Sequence, residues 1–70
     1  MFLPEMTHAT FQYPNGYGAT IFRERNRMQW TITALKFDKY GPSVFRDAVD
    51  RLSEEEVEKE LEVLRALPPV

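Results

Sequence analysis

Apolar and polar residues alternate along three stretches in the first half of the chain, at residues 7–13, 17–24 and 27–37. A period of two is typical of β-strands that bury one face and expose the other. Short segments of turn-forming residues separate the three stretches. The pattern therefore predicts an antiparallel β-meander.

The first turn lies at residues 13–18, with the sequence Tyr-Pro-Asn-Gly-Tyr-Gly. Proline fixes φ at the first turn position and Gly16 can adopt a positive φ, which is the chemistry of a three-residue hairpin loop. This loop places Phe11 opposite Ala19 and keeps apolar residues on one face. A two-residue loop would place Phe11 opposite Thr20 and mix the faces, so we expect the three-residue loop.

The second turn is centred on residues 25–26. A loop of two or four residues at this point pairs Ile21 with Trp30 and sends Ile21 to the face that the first hairpin also selects. This agreement between two hairpins supports the meander. The inner face is expected to hold Ala9, Phe11, Tyr13, Tyr17, Ala19, Ile21, Met28, Trp30 and Ile32. The outer face is expected to hold Thr10, Thr20, Phe22, Gln29, Thr31 and Thr33, with Leu35 and Phe37 near one end.

Residues 53–67 carry helix start and stop signals. Ser53 is the expected N-cap, and Glu56 follows three residues later, as in a capping box. Two prolines after residue 67 end the helix. Apolar residues recur at intervals of three and four and form one stripe, which predicts packing against the inner sheet face. The stripe consists of Val57, Leu61, Leu64 and Leu67.

The segment between the meander and the helix is less regular. Residues 38–43 are expected to form a loop, with the Gly-Pro pair at 41–42 as its breaker. Val44 and Phe45 suit a short fourth strand, but the apolar spacing of residues 44–52 fits a helix equally well. The expected fold class is α+β: a three-stranded antiparallel meander, with or without that fourth strand, and one C-terminal helix on one face.

Size and composition bound the class of protein. The chain has 70 residues, 43% of them hydrophobic, and no cysteine. This suits a single domain over residues 1–70, held by apolar burial without disulfides. Residues 1–6 are expected to be a flexible N-terminal segment or to fold over the outer face, and residues 68–70 to form a tail. No apolar run approaches the roughly 20 residues of a transmembrane helix, so we expect a soluble protein with no membrane partner.

Net charge is −2 and unevenly placed. Residues 1–52 carry seven Lys and Arg against five Asp and Glu, whereas residues 53–70 carry two against six. Neither part is charged strongly enough to imply nucleic acid or a membrane surface.

The chain offers little for catalysis. Its one histidine, His8, falls on an outer strand face, and its acidic residues lie mostly on the helix. The glycine-containing turn at residues 13–18 precedes a strand instead of a helix, unlike a phosphate-binding loop. We therefore expect no catalytic residues, no metal, no cofactor and no enzymatic activity.

Two surfaces are candidates for binding. Arg23, Arg25 and Arg27 cluster at the second turn, where they suit an acidic protein partner or, beside Phe22, single-stranded nucleic acid. A charged hairpin tip also serves solubility alone. The second surface is the outer sheet face, where Phe22, Leu35 and Phe37 are candidate partner-binding residues for another protein or a second copy of this chain.

Two segments resemble small accessory proteins of tailed bacteriophages and prophages. These are the aromatic-Pro-Asn-Gly-Tyr-Gly turn at residues 13–18, followed by a β-rich segment, and the Leu-Ser-Glu-Glu-Glu-Val helix start at residues 52–57. The resemblance spans roughly residues 11–67 in order and spacing. It implies a phage-type accessory protein in the cytoplasm of a bacterial host, with no assigned activity and with no functional residues to carry over.

The resulting expectation is a small protein that binds, and inhibits or redirects, a host protein through its outer sheet face or its arginine tip. The alternative is weak binding of single-stranded nucleic acid by residues 23–27.

Overall fold

The computed structural model describes residues 5–69 as an antiparallel sheet of five strands with one helix packed on it. The elements are β1 (His8–Gln12), β2 (Tyr17–Phe22), β3 (Trp30–Asp38), β4 (Gly41–Val44), β5 (Val49–Leu52) and α1 (Glu54–Ala66). The strand order is β1-β2-β3-β4, and β5 also pairs with β3. The α+β class and the meander are confirmed.

The first hairpin has the predicted register. Phe11 lies opposite Ala19, and the Tyr13 N–H donates to the Tyr17 carbonyl at 2.8 Å. Gly16 adopts a φ of 90°, which closes the three-residue loop. Alternating polarity and turn chemistry were sufficient here because both select the same register.

The predicted register of the second hairpin is wrong by two residues. Ile21 lies opposite Ile32 and not opposite Trp30. The cause is a longer loop over residues 23–29, in which the Arg27 N–H bonds the Glu24 carbonyl at 3.0 Å and Asn26 adopts a φ of 68°. Since a shift of two preserves the side-chain faces, the residues within β2 and β3 keep their predicted faces.

One inner-face assignment fails because of that longer loop. Met28 precedes β3 and is 81% exposed. Trp30, at the start of β3, pairs instead with Leu52 of β5 and is buried.

The expected loop at residues 38–43 is a tight hairpin. β3 continues to Asp38, the chain turns at residues 39–40, and β4 begins at Gly41. The Asp38 carboxylate accepts the Tyr40 N–H at 2.8 Å and so stabilises the turn. Pro42 is accommodated because β4 is an edge strand.

Residues 44–52 form no helix. Val44 ends β4, and residues 49–52 form β5, which pairs with the first half of β3 while β4 pairs with its second half. The nine residues of β3 thus pair with two short strands, β4 and β5. This pairing is long-range, and the local spacing of apolar residues did not reveal it.

The helix is capped as predicted. The Ser53 hydroxyl accepts the Glu56 N–H at 3.2 Å, and the Glu56 carboxylate accepts the Ser53 N–H at 3.0 Å. The helical stripe packs on the inner sheet face. The buried core is Ala19, Ile21, Trp30, Ile32, Ala34, Val57, Leu61 and Leu64.

Candidate functional site

On the outer face of the sheet, opposite the helix, side chains of neighbouring strands form rows across the sheet. One row contains Thr10, Thr20 and Thr33, which lie side by side on β1, β2 and β3. The Thr10 hydroxyl donates to the Thr20 hydroxyl at 3.4 Å. Phe22 lies on one side of this threonine row, and Leu35 and Val44 lie on the other, so apolar side chains are found in two separate areas of the face.

One apolar area lies at the β3–β4 end of the sheet. Leu35 stands opposite Val44, which is 65% exposed. The Phe37 ring lies against Gly18, where an added Cβ would approach a ring carbon to 2.7 Å. Phe37 therefore supports the sheet as well as contributing apolar surface, and both Leu35 and Phe37 are only partly exposed.

The other apolar area is Phe22, which is 50% exposed and lies opposite Thr31. A hollow of about 180 Å³ opens beside it and is lined by polar side chains. Two of them, Asp50 and Arg51, come from an irregularity in the β3–β5 pairing, at which Arg51 adopts a φ of 61°. An apolar centre with a polar rim is the usual anatomy of a protein interface.

The three arginines of the tip do not form a free cationic cluster. Arg23 donates from Nε to the Met6 carbonyl at 2.7 Å, and its guanidinium carbon lies 5.1 Å from the centre of the Trp30 ring. Arg27 pairs with Glu24 at 3.1 Å. Arg25 is exposed. The sequence pattern placed these three arginines at one turn. It could not show which of them make contacts within the protein.

A cavity of about 630 Å³ opens beneath the tip. Its wall includes the three arginines together with Glu5 and Glu54, so its charge is mixed. Trp30 also contributes to the wall but is only 3% exposed and cannot stack on a base.

The Pro-Asn-Gly turn has a role that sequence reasoning missed. The Asn15 side-chain amide lies within hydrogen-bonding distance of three carbonyls at the C-terminal end of the helix: Leu64 at 2.8 Å, Arg65 at 3.2 Å and Leu67 at 3.0 Å. Its Oδ1 accepts the Tyr17 N–H at 3.1 Å. The turn thus caps the C-terminal end of the helix. The only sequence signal for this role was the asparagine itself, because its side chain can both donate and accept hydrogen bonds.

Two groups in the described part of the chain have perturbed pKa values. Partial burial raises the pKa of the Tyr13 phenol, and the charge of nearby Arg65 partly offsets this. The hydrogen bond from the Ser53 backbone N–H lowers the pKa of the Glu56 carboxyl, with a further contribution from the Ser53 hydroxyl. Both groups belong to the contacts that hold the helix, and neither borders the outer face.

Within residues 5–69, no helix is both long and apolar enough to cross a membrane. No three side chains of His, Asp or Glu in this part of the structure lie together as a metal site would require.

Comparison with protein-family models, with curated proteins and with solved structures finds no match.

Proposed function

We propose that the chain is a non-enzymatic accessory protein of phage type that binds a host protein through the outer face of its sheet. The observation that carries this proposal is the position of Phe22. The helix packs on the inner face, while half of the Phe22 surface is exposed on the outer face beside a polar rim. Full burial of a phenylalanine side chain contributes about 1.5–3 kcal/mol. Burying the exposed half of Phe22 would therefore contribute part of this free energy to binding a partner.

The backbone conformation of Arg51 also supports a binding surface beside Phe22. A positive φ in a residue other than glycine costs of order 1–3 kcal/mol and is concentrated at functional sites. Here it occurs in the β5 irregularity that lines the hollow next to Phe22. The mixed charge around the hollow, with Asp50 and Glu24 beside the arginines, suits a protein partner with polar groups of both signs.

The phage context rests on the resemblance in the two motifs. Their residues have structural roles, because Asn15 caps the helix, Gly16 closes the hairpin, and Ser53 with Glu56 forms the capping box. The two motifs therefore have structural roles in this fold, and the proposed host partner is an inference by analogy with small proteins of mobile elements.

The alternative function, weak binding of single-stranded nucleic acid, has less support. Arg23 and Arg27 contact the protein itself, and Trp30 is buried. Oligonucleotide binding that weakens steeply with salt and is lost in Arg25→Ala would favour the alternative, since phosphate contacts depend strongly on salt.

Site-specific photocrosslinking in bacterial host cells tests the proposal. A photoreactive phenylalanine analogue replaces Phe22 in one protein and Val63 in the control, because Val63 is 47% exposed on the helix. We expect position 22 to give a discrete adduct with a host protein and position 63 to give none. Equal yields at the two positions, no adduct at position 22, or an adduct only between two copies of the chain would contradict a host partner on this face.

A further inference from the structure

Within residues 5–69, no strand pairs with the outward backbone edge of β1. Strand β1 is the last strand at one end of the sheet, and it pairs with β2 along its opposite edge. The Arg23 N–H donates to the Thr7 carbonyl and the Tyr13 N–H to the Tyr17 carbonyl, which fixes residues 7, 9, 11 and 13 as those bonded to β2. The N–H and C=O groups of His8, Thr10 and Gln12 therefore point away from the sheet.

The residues of this edge lack the side chains that usually protect an edge strand against pairing. Among its five residues, His8 to Gln12, there is no proline, no glycine, no lysine and no acidic residue. The edge strand β4, in contrast, has four residues and contains Pro42. Unprotected edges pair readily with another strand.

We propose that two copies of this chain pair antiparallel through β1 and form one continuous sheet. With Thr10 opposite Thr10 of the second copy, the outward N–H and C=O groups of His8 meet those of Gln12 of the second copy. This register is self-complementary, as a closed two-fold interface requires. No charged pair opposes it, because β1 contains no lysine, arginine or acidic residue.

The same register suits the side chains on both faces. On the outer face it extends the threonine row of Thr10, Thr20 and Thr33 across the two-fold axis. On the inner face it places Ala9 next to Phe11 of the second copy. Ala9 and Phe11 pack on the core but are only partly buried, because the helix packs mainly over β2, β3 and β5. Pairing would bury more of both.

This inference does not rest on the proposed host partner. Pairing through β1 leaves Phe22 and its hollow free and places two outer faces side by side. If the chain does not dimerise, the crosslinking result expected at position 22 is unchanged. If position 22 gives no host adduct, the expected dimer is likewise unchanged.

The test combines sedimentation of the full chain over a wide concentration range with amide hydrogen exchange. We expect a reversible equilibrium between the 8.2 kDa chain and its dimer. We also expect the Thr10 amide to become as protected from exchange as the Ala9 amide when the protein concentration rises. Among residues 5–69 of a single copy, the Thr10 amide has no strand partner across the edge.

Two variants identify the surface. Thr10→Pro removes an outward N–H without removing a bond to β2, so we expect a folded monomer, with folding checked by circular dichroism. Thr10→Lys places two positive charges opposite each other on the two-fold axis and is expected to weaken the dimer by about fivefold. Thr33→Lys adds the same charge to the same row away from the edge and is the matched control, with little expected effect.

A chain that stays monomeric at every concentration overturns the proposal. So does a dimer that persists in folded Thr10→Pro, or one in which the Thr10 amide stays unprotected, because either result places the contact on another surface. If Thr10→Pro does not fold, the test is the dimer affinity of Thr10→Lys compared with that of Thr33→Lys. Equal affinities of these two variants overturn the proposal.

Discussion

The side-chain amide of Asn15 connects the first hairpin to the end of the helix. Carbonyls in the last turn of a helix have no partner within it, and a side chain or water must satisfy them. Asn15 approaches three such carbonyls while its own oxygen holds the turn. One residue thus stabilises a hairpin and a helix that are 49 or more residues apart in sequence.

We expect Asn15→Ala to lower the free energy of unfolding by about 1–3 kcal/mol, because helix carbonyls lose their donor in a partly buried site. Urea denaturation measures the change. Gln29→Ala, which removes an exposed amide outside the strands, is the control and should change stability by less than about 0.5 kcal/mol. Equal effects of the two substitutions would show that the Asn15 contacts contribute little.

Gly18 illustrates a second residue whose role comes from close packing. A Cβ at this position would collide with the Phe11 carbonyl oxygen and with the Phe37 ring. The carbonyl belongs to the neighbouring strand and cannot move without breaking the β1–β2 pairing. We expect Gly18→Ala to destabilise the protein by more than about 2 kcal/mol, measured by thermal or urea unfolding, and Thr20→Ala on the same strand to cost about 1 kcal/mol or less. A neutral Gly18→Ala would contradict this packing.

At the scale of single elements, the helix is the part that local sequence determines most completely. Its capping box needs only residues 53–56, and its apolar stripe needs only the spacing of the residues that follow. The β2–β3 register needed more information. Trp30, which follows the 23–29 loop, pairs with Leu52 more than twenty positions away, and no local pattern contains that contact.

The capping box makes helix stability depend on pH. Hydrogen bonds from Ser53 lower the pKa of Glu56 below its ordinary value of about 4.5, so the folded state favours the ionised carboxylate. This stabilisation is present above the ordinary pKa and is lost as the pH falls through the folded-state pKa. Glu56→Gln keeps a hydrogen-bond acceptor but does not titrate.

We therefore expect Glu56→Gln to lose less stability than the unaltered protein between about pH 7 and about pH 3, as measured by urea midpoints. Glu55→Gln, in the same helical turn but outside the capping box, is the control. If both variants show the same pH dependence, the Glu56 carboxylate does not contribute through Ser53.

At the scale of the whole molecule, the sequence was sufficient for the fold class and for the division of the sheet into two faces. Both follow from period-two alternation, which survives a register error of two residues. Of the two short strands after β3, the sequence allowed one at residues 44–45, and β4 ends at Val44 but begins earlier, at Gly41. Strand β5 was not predicted, and it pairs with the first half of the long β3. The candidate surface was predictable only in part: Phe22 lies exposed as its position in the pattern suggested, but the arginine contacts and the hollow formed by β5 depend on tertiary structure.

The outer face is tested most directly by NMR of the nitrogen-15-labelled chain in a lysate of its bacterial host. Partner binding broadens the amide signals at the contact surface. We expect broadening to centre on Phe22, Thr31 and Thr33 and to be weak on the exposed helix around Val63. Broadening centred on the helix or on Arg25, or spectra identical to those in buffer, would contradict a partner on the outer sheet face.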